Sequence, residues 1–255
     1  MPRGTRAPRR IAPRLYFVVR WFWQRGRTPE RTLKVRSRGD HGDVSRVDFE
    51  ELAPAIDTFL GQAAYLQLGY FETLSELIAP TPDLTHKESL SLAAGSALIK
   101  HRELVALIRE RGDDPLDLML PFREPLDAFR SATHGARPLE TMLSVHITAG
   151  MLDDFYRALS ASYASTGRRV ADILARDDDR DSLVAIITDA IAADAEWKSL
   201  LALWGRRLVG DTLLIARGAL RPQSLDAAEE KRVEPVFTEL LGAHSRRMAA
   251  IGLDA

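Results

Sequence analysis

Asp83 and His86 stand three residues apart, and Lys100 and Asp211 each interrupt an otherwise apolar helical face. His146 and His244 fall on apolar stripes, and Asp153-Asp154 and Asp177–Asp181 form acidic clusters. A carboxylate and an imidazole one helical turn apart can share a metal ion. The Asp83-Leu84-Thr85-His86 pair, however, follows Pro80-Thr81-Pro82, where Asp83 (or Thr81) is placed to cap a helix, so its reading is structural. A lone His on an apolar stripe reads as a core residue, and the acidic clusters read as solvated faces or loops. The chain has no Cys, which excludes disulfides, thiolate zinc sites and a cysteine nucleophile. It contains no phosphate loop, nucleophile elbow or zinc motif.

These residues have to be positioned by helices. The stripe Leu52, Ile56, Phe59, Ala63, Tyr70, Leu74 and Leu77 has helical period and carries Gln67 on its inward side. A second helix runs to about Arg111 and ends at Gly112, with Leu90, Ala93, Ala97, Leu104 and Ile108 inward and Lys100 among them. Pro115 to Arg130 reads as a long connection with short helices, broken by Pro121 and Pro125. A third helix spans about Pro138 to Tyr163, with Leu139, Met142, Val145, Ala149, Leu152, Tyr156 and Leu159 on its face. Gly167 and Asp177–Asp181 are expected to mark an exposed break, followed by a shorter helix over Leu183–Ala193. The most regular stripe is Trp197, Leu201, Trp204, Leu208, Asp211 and Ile215; the last helix is expected to begin near Pro235 and carries Phe237, Leu240, His244, Met248 and Ile251. No strand pattern competes. The expectation is an all-α fold in which the first three long helices and Trp197–Ala219 form an antiparallel bundle, with the C-terminal helix alongside.

Charge is distributed unevenly. Net charge is −1, yet residues 1–38 hold twelve basic residues and one acidic residue, Glu30. Within them lies Leu15-Tyr16-Phe17-Val18-Val19-Arg20-Trp21-Phe22-Trp23. Three readings compete: a segment lying in a membrane interface, a segment binding nucleic acid phosphates, and a disordered leader or translated upstream sequence with the true start near Val44. No apolar run approaches the roughly 20 residues of a bilayer span, and no small-residue cleavage site follows the short apolar run. The expected compartment is the cytoplasm, with peripheral attachment to a membrane as the variant.

Several segments carry a resemblance. They are Ala64-Tyr65 followed by Phe71, Arg111-Gly112-Asp113-Asp114, Asp154-Phe155-Tyr156-Arg157, Leu201-Ala202-Leu203-Trp204-Gly205-Arg206-Arg207-Leu208-Val209-Gly210-Asp211 and His244-Ser245-Arg246-Arg247-Met248. From about Glu50 to Gly252 the chain resembles a ferritin-like family related to tRNA hydroxylase, the MiaE-like proteins of actinobacterial type. The resemblance implies a ferritin-like four-helix bundle, which with the helical pattern gives a domain over residues 44–255 with an additional C-terminal helix; the charge distribution sets a basic extension over 1–43 before it. It also implies a carboxylate-bridged di-iron site and oxygen-dependent hydroxylase chemistry.

The ligand positions that the resemblance assigns are altered in this chain. Gln67 stands for a Glu, Ala97 and Lys100 stand for the Glu-x-x-His pair with His101 one residue out of register, and Ala149 stands for an acidic residue. A further His position falls near Asp179; Asp211 alone keeps acidic character. Two irons need several carboxylates to balance and bridge them, which an amide and a methyl group do not supply. The expectation is therefore a bundle with no cofactor and a binding or scaffold role, acting through nucleic acid, an anionic membrane or a partner, alone or as a homo-oligomer. The alternative is a di-iron oxidoreductase. Two arrangements remain open for the altered layer. Lys100 either pairs with a buried Asp211 while Gln67 hydrogen-bonds to one of them, or it turns to solvent and leaves Asp211 to a local Arg.

Overall fold

The computed structural model describes residues 52–220 and 227–255, with side chains from 233 onward in the last helix. The 1–43 extension lies outside the described residues. Among the described residues every regular element is helical, as the apolar periodicity requires.

The first hairpin is α1 (Ile56–Ile78) and α2 (Leu84–Glu110), turned by Pro80-Thr81-Pro82. The Asp83 side chain accepts from the His86 amide at 2.8 Å and so caps α2, as its position predicts. Gly112, at φ +88, ends α2 in the left-handed region that glycine enters without a side-chain penalty. A crossover follows, made of α3 (Pro115–Met119) and α4 (Arg123–Thr133) laid against α1. It delivers the chain to α5 (Pro138–Ser160), which begins with Pro138 in its first turn and Glu140 closing a capping box.

Next come α6 (Ala164–Leu174) and α7 (Arg180–Ala193), which pack in sequence along α2 and α5 and together act as one interrupted helix. They occupy the fourth position of the bundle. The helix α8 (Ala195–Gly218) instead packs on α5, α4, α7 and α9 (Ala227–Ala250), outside the α1–α2 pair. The four-helix bundle with an added C-terminal helix is thus the observed fold, but the helix expected as its fourth member lies in the outer layer. Trp204 explains the strength of that stripe, because its indole N–H donates to Glu140 O at 3.1 Å and Ser144 Oγ at 2.8 Å on α5. Gly167, expected to mark a break, lies inside α6, where a Cβ would fall 1.8 Å from Ser160 O. The last helix starts at Ala227 and holds Pro235 in its interior.

The core is continuous through these elements. Phe59, Leu60, Leu90, Leu104, Ile108, Leu143, Ile147 and Phe155 are fully buried. Each such side chain contributes about 1.5–3 kcal/mol relative to exposure. The interruption between α6 and α7 is built locally. Asp179 sits at φ +53, and the amides of Asp179 and Arg180 donate to Asp177 Oδ1 at 3.1 Å and Asp178 Oδ1 at 3.3 Å. Short acidic side chains that bond neighbouring amides compete with helix propagation, and Asp tolerates the left-handed region better than most residues.

Candidate functional site

The middle layer of the bundle is ionic. Lys100, on α2, is only 2 % exposed, and its ammonium lies 3.1 Å from Asp178 Oδ2 and 3.5 Å from Asp153 Oδ2. It also donates to the Leu174 carbonyl at 3.3 Å, at the end of α6. Arg180, the first residue of α7, pairs with Asp178 and reaches Asp153 Oδ2 at 3.4 Å. Gln67, from α1, donates its amide N–H to Asp153 Oδ1 at 2.8 Å. Two cations and two anions therefore cancel within one layer, with every helix of the bundle contributing. On the same face of α2, one turn before Lys100, Ser96 Oγ donates to Asp179 Oδ2 at 2.5 Å and clamps the α6–α7 joint.

Electrostatics divides the two carboxyls. Burial pushes Asp153 above the usual carboxylate range, in spite of Arg180 and Lys100 beside it. Asp178 is less deeply buried, and there the hydrogen bond and charge of Arg180, with Lys100, outweigh burial and hold it below that range. Burial tends to lower Arg180, yet Asp153 and Asp178 keep it above its ordinary value. Tyr70 lines the same cavity, and burial drives its hydroxyl well above the usual phenol range.

Four of the residues singled out from the sequence meet here: Gln67, Ala97, Lys100 and Ala149 border one cavity of about 20 Å³, together with Asp153, Asp178 and Arg180. Asp211 does not join them. It is half-buried on α8 and forms no ion pair among the described residues, so neither arrangement expected for Lys100 and Asp211 holds. The interior partner of Lys100 is supplied by α5 and the α6–α7 joint instead. Asp153 and Asp178, read from the sequence as solvated, are the acids that matter. Asp153 could have been found, since it follows Ala149 by one turn on the inward face of α5. Asp178 and Arg180 carry no such signal, because the joint follows no helical period.

Residues 51–223 match the ferritin-like domain of actinomycetes. The chain belongs to that family. No curated protein matches it. The match ends before α9, which packs on α5 and α8. A di-iron centre is what a ferritin-like fold can hold, so the donors of this layer are the test. Among the described residues no three of His, Cys, Asp and Glu come together to hold an ion. The layer's two carboxylates already face Lys100 and Arg180, whose fixed positive charges would repel a cation at these distances. The residues present do not fit a pair of irons. No described helix is long and apolar enough to cross a membrane.

Proposed function

We infer that this ferritin-like domain is a metal-independent bundle with a binding or scaffold role, in which fixed charges hold the layer that related bundles give to metal. The observation that supports this reading is the Lys100 ammonium set between Asp153 and Asp178, with Arg180 completing the charge balance. A di-iron, oxygen-dependent hydroxylase of the tRNA hydroxylase type is the competing reading. It would require carboxylates where Gln67, Ala97 and Ala149 stand. Partner binding falls to the 1–43 extension, whose basic residues suit the phosphates of nucleic acid or of an anionic membrane surface in the cytoplasm.

Metal analysis of the purified full chain, with Fe(II) titrated in air and the melting temperature followed, tests the reading. The expected result is no stoichiometric iron and no shift in Tm. About two irons per chain, with the absorption of an oxidised di-iron centre, would overturn it. Deleting residues 1–43 is expected to weaken salt-sensitive binding to RNA or anionic vesicles.

A further inference from the structure

Lys100 and Asp153 face each other under conditions that favour a reaction as well as an attraction. Their side chains are 2 % and 8 % exposed, and Nζ stands 3.5 Å from Oδ2. A third group, Asp178 Oδ2, lies 3.1 Å from the same nitrogen. Gln67 donates to Oδ1, the carboxyl oxygen that does not face Lys100. Leu74, Ala93, Ala97, Val145 and Ala149 line the surrounding cavity, whose volume of about 20 Å³ suffices for one water.

We propose that Lys100 and Asp153 become joined by an isopeptide bond between Nζ and Cγ, formed within the folded chain with Asp178 as the group that moves the protons.

The chemistry balances without a co-reactant. Asp178 relays a proton from the Lys100 ammonium to Asp153 Oδ2, leaving an amine opposite a neutral carboxylic acid. The amine lone pair attacks Cγ and the C–N bond forms, while the negative charge gathers on Oδ1 under the Gln67 N–H. Asp178 then carries a proton from the nitrogen to Oδ2, the C–Oδ2 bond breaks, and one water leaves. Nothing is oxidised or reduced, and Asp178 ends ionised, as it began. The division of the two carboxyls suits these roles, because burial favours the neutral form of Asp153 while Arg180 keeps Asp178 ionised. Fixed positions replace a bimolecular encounter, and the product replaces two buried charges with an amide. The link would tie α2 to α5 and restrict the unfolded chain as a disulfide does.

This inference rests on the metal-independent reading of the layer, and one preparation separates the two. The full chain is purified natively, assayed for iron, then denatured for intact mass and digested for peptide mapping. The expected mass is one water below that of the sequence, with a branched peptide joining the Lys100 and Asp153 segments. Lys100→Arg and Asp178→Asn should each show the full mass of their own sequence. A wild-type chain of full mass and free of iron overturns the crosslink alone. Stoichiometric iron overturns the metal-independent reading and the crosslink with it. A branch at other residues overturns the assignment, and a crosslink persisting in Asp178→Asn overturns the role of that carboxyl.

Discussion

The two sides of α5 treat buried polarity in opposite ways. Toward α1, α2 and the α6–α7 joint, Asp153 meets Lys100, Arg180 and Gln67, so each charge has a counterpart. Toward α9, contact is mostly apolar and close, with Met248 of α9 against Gly205 of α8 and Phe237 stacked on Phe155. Arg247 is the exception there, crossing Gly150 to reach Asp154 Oδ2 at 2.6 Å. His146 and His244, on α5 and α9, keep both ring nitrogens buried without a hydrogen-bond partner. Burial, with Arg180 and Arg247 nearby, lowers His146 to about 4, and burial with Arg247 lowers His244. The inner layer sets each carboxylate against a cation, which is what brings Lys100 and Asp153 together; the imidazoles of His146 and His244 have no hydrogen-bond partner and stay neutral.

Removing one partner from the inner side should have the largest effect. Lys100→Met removes the Lys100–Asp153 link and leaves two carboxylates facing Arg180 alone, and is expected to cost at least about 3–5 kcal/mol in urea unfolding; Lys100→Met with Asp153→Leu should recover the part due to the unmatched charge and leave the part due to the lost link. A small cost for the single change would erase the contrast between the two sides.

Acid should act next, through the buried imidazoles. Unfolded imidazoles take up a proton near pH 6.5, while folded His146 resists until about 4. Between those values the unfolded state binds more protons, so stability falls as pH falls, by about 3 kcal/mol from His146 at the lower end. In a chain that has not formed the Lys100–Asp153 link, the free Asp153 carboxyl has the opposite sign: its raised folded value means that acidification through it returns stability. The fall of Tm between pH 7 and 4 should therefore be steeper in Lys100→Met than in Lys100→Met with His146→Met, where the imidazole contribution is gone.

The smallest change expected is at the crossing of α5 and α9. A Cβ on Gly150 would lie 2.3 Å from Arg247 Nε. Because an Arg side chain can move aside, Gly150→Ala should cost about 1 kcal/mol, mainly by weakening the bond to Asp154. Denaturant titration of this variant beside Arg247→Met would show whether one interaction accounts for both losses.

Much of the fold was legible because α1, α2 and α5 have long one-sided stripes that bury as a unit, and Gln67, Ala97, Lys100 and Ala149 lie on them. The rank of the helices was not legible. The stripe of α8 is the most regular, yet Trp197, Trp204, Asp211 and Ile215 on it are only half-buried, because a periodic face does not say which neighbour covers it or how fully. The fourth bundle helix is short in both halves, so its pattern is weak. The decisive acid and base at its joint sit where the backbone leaves helical geometry, and no periodicity can place Asp178 and Arg180.

That joint also changes how the backbone exchanges hydrogen with solvent. The amides of Asp179 and Arg180 are held by the carboxylates of Asp177 and Asp178 instead of by carbonyls one turn back. Their protection is lent by side chains. In deuterated water at constant pH their exchange should accelerate in Asp177→Ala and Asp178→Ala respectively, while amides in the middle of α2 and α5 keep the slow rates of the global unfolding reaction.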